Sequence, residues 1–262
     1  MEGSGLKLAG RSGLRWRLLP AVRLGFRVLG RGWNDFYAWM LDRQERRNTI
    51  DRILARDRHV QGKDKGLYDI SRGPVHAAFL IRHGLKPTDR FLDFGCGYGR
   101  TAVAILNHLD PGNYVGVDLS AERIRMAHEY VEREGLTDRR PRLLASLDNA
   151  MPYLEDGSID VIFATSVFSH MPMEQWHEVL AAGRRVLVPG GSFILNYHVS
   201  DTGERVVNDL KDYYYPQAEV DATFARHGFT AEPLDGWHDD LAPENRDPLI
   251  RMVRLRATGG AA

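Results

Sequence analysis

Apolar positions along the chain fall into two regimes that meet near residue 65. From residue 66 onward, short apolar runs alternate with longer stretches in which apolar residues recur every three or four positions. The runs RFLDFG (from Arg90), YVGVDLS (from Tyr114), RLLAS (from Arg142), IDVIFATS (from Ile159) and SFILNYHV (from Ser192) read as strands. Between them GPVHAAFLIRHGL, GRTAVAILNHL, AERIRMAHEYVEREG, PMEQWHEVLAAGRRV and AEVDATFARHG read as helices, with Ser120 capping the third and Gly135 ending it. Strand–helix alternation predicts an α/β fold with a doubly wound, mostly parallel sheet. No helical pattern separates FTAEPL from LIRMVRLRA, and DDLAPENRDP falls between them, so these two runs should pair antiparallel.

The first regime is different. In RSGLRWRLLPAVRLGFRVLG an arginine interrupts the apolar residues every few positions, and Arg23, Arg27 and Arg31 would form one stripe on a helix opened by Pro20. The interruptions deny it the apolar core of a secretory signal. A polar, arginine-rich helical stretch follows over 33–58, and GKDKG reads as a linker. The expected organisation is a basic helical extension at 1–65 and one domain at 66–262.

Charge sharpens that division. The chain is neutral overall, yet residues 1–34 carry seven bases and one acid, or +6, which leaves −6 on the remainder. The apolar face of such an arm needs cover, either from its own domain as a lid or from an anionic membrane surface. The single cysteine, Cys96, excludes a disulfide framework and a multi-cysteine zinc site, and no metal site is expected. No run is long and apolar enough to span a bilayer, so the expected location is cytoplasmic, or peripheral at the inner membrane surface through residues 1–34. Thirty arginines against five lysines fit a GC-rich bacterial genome.

The candidate chemistry begins at LDFGCGYGR. Glycines 95, 97 and 99 follow a strand and open a helix, where backbone can approach a ligand and free N–H groups face it. The order G-x-G-x-G departs from the G-x-G-x-x-G of nicotinamide-binding loops. Asp93, two residues ahead, would repel a pyrophosphate and suit an ammonium group. Asp118 ends the next strand, where a carboxylate can accept hydrogen bonds from two ribose hydroxyls.

LDFGCGYGR followed by VGVDLS resembles the first two motifs of the class I S-adenosylmethionine-dependent methyltransferases, and MPYLEDGSIDVIFATSVFSHM and AAGRRVLVPGGSFIL resemble the later ones. The resemblance covers about residues 66–257 and implies a seven-stranded sheet with an antiparallel last strand, with S-adenosylmethionine as cofactor. It implies that Asp93 supports the loop and the methionine amine, that Gly95, Cys96, Gly97 and Gly99 line methionine and ribose, that Asp118 holds the ribose, and that Leu119 packs on adenine. The adenine edge falls to Asp148, with Ser146 and Leu147 beside it, and Thr165 reaches the methionine portion. Cys96 reads as a packing residue rather than a nucleophile, because no electropositive partner is visible.

Methyl transfer from a sulfonium needs alignment of the acceptor, and a base only where the acceptor carries a proton. His170, after the fourth strand, is the first candidate base and otherwise shapes the pocket. Tyr197 and His198, ending the fifth strand, come next, and His238 lies further along the rim. DYYYP reads as a packed lid or an aromatic pocket, within a segment, 200–228, that should cover the acceptor. ATSVFSHMP lacks the N-P-P-Y-like motif of base methyltransferases and the core has no basic stripe interleaved with aromatics, so a small-molecule, sugar or lipid-linked acceptor is expected and nucleic acid is not. Two other classes compete: a non-catalytic binding or scaffold subunit that kept the fold, and a nicotinamide-dependent dehydrogenase, which the glycine spacing disfavours.

Overall fold

A computed structural model describes residues 72–208, 212–237 and 246–258. The basic extension, the domain boundary placed at 65 and His238 lie outside the described residues. Helix α1 (Gly73–Arg82) leads into β1 (Phe91–Phe94), α2 (Arg100–Ile105), β2 (Tyr114–Asp118), α3 (Ala121–Arg133) and β3 (Arg142–Ala145). Then come β4 (Ile159–Ala164), α4 (Met173–Val186), β5 (Leu187–Val199), a hairpin of β6 (Val206–Asn208) and β7 (Asp212–Tyr215), α5 (Gln217–Arg226), β8 (Phe229–Pro233) and β9 (Ile250–Ala257).

Strands β3, β2, β1, β4 and β5 lie side by side and parallel, with β9 antiparallel to β5 and β8 antiparallel to β9. These seven form the expected sheet, and the last strand is indeed antiparallel. Ser120 caps α3 as expected, its Oγ accepting from the Arg123 N–H at 3.3 Å. Helix α2 stops at Ile105, short of the expected Leu109, because the chain tightens into turns in which the His108 and Leu109 N–H groups both bond to the Ile105 carbonyl.

The two extra strands are the hairpin. At His198, β5 pairs with Ile250 of β9 on one side and Tyr214 of β7 on the other. Strand β7 therefore takes the side of β5 that β4 occupies lower down, where Leu195 faces Ala164. The hairpin prolongs the sheet beyond the end of β4, at the edge where ligands bind in such folds.

Alternation along the strands sends side chains into two cores. On one face Trp176 of α4 is fully buried among Phe168, Tyr197, Tyr215 and Phe224, and its Nε1–H donates to the carbonyls of Phe168 (3.1 Å) and Met171 (3.2 Å). The indole thus fixes the turn after β4 as well as filling the core. On the other face Phe79 of α1 packs with Phe91, Tyr114, Phe163 and Trp237. Among the described residues no helix is long and apolar enough to cross a membrane.

His76 belongs to the second core. Its Nδ1 lies 2.9 Å from Thr101 Oγ1 and its ring packs on Trp237. Burial, with Arg100 and Arg72 nearby, lowers its pKa from 6.5 to about 3. The unfolded chain therefore takes up a proton below pH 6.5 that the fold refuses, and stability falls as pH drops through that window. Acidification from pH 6.5 to 5 should cost about 2 kcal/mol through this residue. Asp93, raised by burial to about 7, acts in the opposite sense over the same range. The check is urea unfolding of wild type and His76→Gln at both pH values: the stability difference between the two proteins should shrink by about that amount at pH 5, and a difference independent of pH contradicts it.

Candidate functional site

Strand β1 delivers the glycine loop to the carboxyl edge of the sheet. The Gly95 and Cys96 N–H groups both bond to the Val117 carbonyl of β2, at 2.7 and 3.0 Å, so the loop folds over the end of the neighbouring strand. Gly95 has φ +79°, and a Cβ there would overlap the Val167 side chain after β4. Gly97 has φ +56°, and a Cβ there would meet nothing within 4 Å. The first glycine is thus required by packing, whereas the second presents bare backbone to open space. Gly99 opens α2, and a Cβ there would lie 3.1 Å from Ala127 of α3.

Asp118 closes the loop from the other side. Its Oδ2 accepts from the Gly97 N–H at 3.0 Å and its Oδ1 from the Ser120 N–H at 2.9 Å, while the Arg123 guanidinium stands 3.8 Å away. Arg123 also covers the Tyr98 ring, with 5.1 Å to the ring centroid. Leu119 follows Asp118 at the strand end.

Asp93 is placed differently from the expectation of an acid displayed into the loop. It is buried, and the Tyr114 hydroxyl donates to its Oδ2 at 2.7 Å. Burial raises its pKa to about 7, with Asp118 adding to the rise and the Tyr114 bond opposing it. The Cys96 thiol is buried beside these carboxylates, and burial, then Asp93 and Asp118, push its pKa well up. A neutral thiol of this kind is a packing group, not a nucleophile.

At the end of β3 the Ser146 N–H bonds to the Asp118 carbonyl at 3.0 Å, which sets the third strand end against the second. Ser146 Oγ accepts from the Asp148 N–H, and Asp148 Oδ1 accepts from the Ala150 N–H at 2.9 Å. Leu147 between them is exposed. Tyr153 Oη, close by, is buried and has no hydrogen-bond partner among the described residues.

The β4–β5 side brings other groups together. Thr165 is half-buried at the end of β4. Ser166 follows with φ +54°, its N–H donating to Oδ1 of buried Asn196 at 2.6 Å. His170 ends the next turn and its Nδ1 lies 2.9 Å from Asp212 Oδ1 on β7. Alternation along β5 separates the two residues that sequence reasoning grouped. Tyr197 points into the core against Trp176 and Phe224, its hydroxyl accepting from Gln217 Nε2 at 3.0 Å. His198 points the other way, stacked on Tyr214 at 4.6 Å between centroids, and burial lowers its pKa. Tyr197 is therefore a core residue, whereas His198 faces the hairpin.

Residues 91–191, which run from the first strand past the glycine loop to the fifth, match the family model of a methyltransferase domain. The stretch that carries the glycine loop and Asp118 is thus similar to methyltransferase domains, over 101 of the chain's 262 residues. A probable methyltransferase, ltbC, of Aspergillus luteorubrus is 28% identical over 196 residues, 72% of this chain and 64% of that protein. The chain thus spans under two thirds of that relative's length. The tRNA N(3)-cytidine methyltransferase METTL2 of Danio rerio is 25% identical over 261 residues, 85% of this chain and 70% of that one. The crystal structure of 1,6-didemethyltoxoflavin-N1-methyltransferase from Burkholderia thailandensis shares the fold, with a TM-score of 0.60 at 20% identity, over 82% of this chain and 90% of that chain.

Along one edge of the sheet the structure gathers the glycine loop, Asp118, Leu119 and Ser146–Asp148, and it adds residues that sequence reasoning missed. Arg123 carried a signal, three residues past the helix cap. Asp212 and Tyr214 lie in DYYYP, which the sequence read as a lid or an aromatic pocket, whereas Asn196 carried no signal, because only strand register brings it to the edge.

The two glycines separate in their expected effects. Gly95→Ala meets both a left-handed backbone and the Val167 side chain, and should lose about 2–4 kcal/mol. Gly97→Ala meets only the backbone term and should lose about 1 kcal/mol. Chemical denaturation of the two variants checks this, and equal losses would show that the Val167 contact yields freely.

Proposed function

We propose that this chain transfers a methyl group from S-adenosylmethionine to an oxygen or nitrogen atom of a small-molecule, sugar or lipid-linked acceptor. The observation that carries the reading is Asp118 locked onto the Gly97 N–H, a carboxylate held at the strand end beside open loop backbone. The residues present fit the cofactor. Asp118 would hold the ribose hydroxyls, Gly97 would lie along the methionine portion, and Leu119 with Ser146–Asp148 would border the adenine. Bound there, the cofactor supplies an electrophilic methyl on a sulfonium sulfur. The Asp118 carboxylate puts negative charge at this edge, which favours a cationic ligand over the pyrophosphate of a dinucleotide.

The protein's own work is alignment and exclusion of water. The β6–β7 hairpin prolongs the sheet over the end of β4 and brings Asp212 and Tyr214 to His170 and His198, so the acceptor enters between the hairpin and the glycine loop. Among the described residues, the side chains on the hairpin side of this edge are imidazole, carboxylate, phenol and amide, with one guanidinium, Arg123, on the glycine-loop side. That set suits a small polar acceptor better than a polyphosphate backbone, which calls for clustered lysine and arginine.

Titration calorimetry should show binding of S-adenosylmethionine and none of NAD. Asp118→Ala should weaken S-adenosylmethionine at least tenfold, about 1.4 kcal/mol or more, in a protein whose circular dichroism is unchanged. Methyl-labelled cofactor incubated with a bacterial extract, then fractionated, should place label in small molecules or lipid. Label confined to RNA would overturn the acceptor class, and unchanged affinity in a folded Asp118→Ala would overturn the ribose role.

A further inference from the structure

Resting on the methyl-transfer reading above, we infer that the methyl-accepting molecule is neutral and presents a carbonyl oxygen to the side-chain amide of Asn196, with His198 as a second donor beside it. Asn196 is 4% exposed and stands three residues before the end of β5. Its Oδ1 accepts from the Ser166 N–H at 2.6 Å, just past the end of β4. The atom that faces an N–H is the oxygen, so the orientation of the amide is fixed. The NH2 group is turned away from Ser166, and neither of its N–H groups has a hydrogen-bond partner among the described residues. Buried donors left unused cost stability, so the fold alone gives no reason for an amide here. Its place gives one. Ser166 is followed by Val167, whose side chain packs where a Gly95 Cβ would be, so the amide stands across the end of β4 from the glycine loop.

Register puts a second donor on the same face. Asn196 and His198 lie two residues apart on β5, so both side chains leave the strand on the side opposite Tyr197, with their Cα atoms about 7 Å apart. The His198 ring is held by stacking on Tyr214, its strand neighbour, at 4.6 Å between centroids. Its Nδ1 is buried and has no hydrogen-bond partner among the described residues. A sealed N–H without an acceptor is costlier than a sealed lone pair, so the ring carries its proton on Nε2 and that nitrogen donates. Burial lowers the His198 pKa, with His170 adding to the fall and Asp247 and Asp212 opposing it, and the imidazole is neutral at pH 7.

Two neutral donors on one face call for oxygen lone pairs. An alkyl or ammonium group placed there would leave both donors unpaired. Charge decides between a carboxylate and a carbonyl. The acidic groups that act on His198 are Asp247 and Asp212, and Asp118 holds a further negative charge at the glycine loop. A carboxylate ligand would be repelled by all three, whereas a neutral carbonyl takes the N–H bonds without that penalty. A carbonyl oxygen also has two lone pairs and no proton of its own, so it needs no acceptor in return. The chemistry fits a ketone, an amide, an ester or a lactone, with the methylated oxygen or nitrogen elsewhere on the same molecule. Asn196 then sets specificity by holding that molecule in line with the sulfonium methyl.

The test uses the full-length protein with tritiated-methyl S-adenosylmethionine and two sets of probes. Each set keeps one nucleophile and changes its neighbour: 2-hydroxyacetophenone, 2-ethylphenol and salicylate carry a phenol, and 2-aminoacetophenone, 2-ethylaniline and anthranilate carry an aniline. Wild type should methylate at least one ketone, with kcat/KM about tenfold or more above its ethyl and carboxylate partners. Asn196→Asp keeps the oxygen that accepts from Ser166 and removes both N–H donors. It should bring the ketone-over-ethyl preference to within about twofold, with the calorimetric Kd for S-adenosylmethionine within about twofold of wild type. A purely structural role would lower both rates together and leave their ratio standing. In wild type labelled with nitrogen-15 asparagine, the Asn196 NH2 signal, assigned through its nearness to the Ser166 N–H, should move on adding 2-hydroxyacetophenone and stay on adding 2-ethylphenol. That reading needs no variant to fold, and a signal that follows the ketone supports the contact even where no probe is methylated. Equal rates on ketone and ethyl probes, a preference for the carboxylates, a ketone preference that survives Asn196→Asp, or an Asn196 signal that ignores the ketone each overturns the inference. A wild type that does not bind S-adenosylmethionine overturns the proposed function instead, and the Asn196 signal still reads the carbonyl contact.

Discussion

The carboxylate of Asp118 is the contact on which the rest of the cofactor edge depends. Two structural units converge there: the glycine loop through the Gly97 N–H, and α3 through the Ser120 N–H at its cap and the Arg123 guanidinium in its first turn. Three residues of the loop are left-handed glycines without side chains, and the loop's N–H groups need acceptors wherever water is excluded. Asp118 supplies one on one side and the Val117 carbonyl supplies two on the other. The cost is negative charge in a buried place. It is met by pushing the second carboxyl, Asp93, toward its neutral form beneath the loop, where the Tyr114 hydroxyl can still bond it.

The other half of the edge is organised by packing rather than by charge. Trp176 fills the core beneath β4 and β5, and its N–H reaches up to the turn that carries His170. Tyr215 does the same from the hairpin through its hydroxyl. Both are large aromatic groups with one polar atom aimed at backbone, so the apolar burial that stabilises the domain also sets the height of the turn above the sheet.

Much of this was legible in the chain. The alternation of strands and helices, the glycine spacing, Asp118 and the cap at Ser120 were all readable because each is a local pattern with one physical cause. The hairpin was not. Val206–Asn208 and Asp212–Tyr215 are three and four residues long, and such short runs carry almost no periodicity. DYYYP allowed either a lid or an aromatic pocket, and the strand resolves the choice by alternation: Tyr213 and Tyr215 pack inward while Tyr214 faces His198. The same period-two logic separates Tyr197 from His198, adjacent residues that sequence reasoning treated as equivalent. Asp93 shows a different limit. Its place in the motif was clear, but the Tyr114 hydroxyl that occupies it comes from the facing strand, 21 residues on.

Strand β5 has a division of labour along its length. Its residues from Ser192 to Leu195 bond to β4 and belong to the scaffold shared with the donor loop, whereas His198 and Val199 bond to the hairpin. One continuous strand therefore acts as a joint between the sheet that carries the glycine loop and the hairpin. A hairpin of another length or sequence could be grafted at this joint without disturbing a single hydrogen bond of the glycine loop. Under the proposed function, acceptor choice and donor binding are thereby separable traits, each open to change while the other is held.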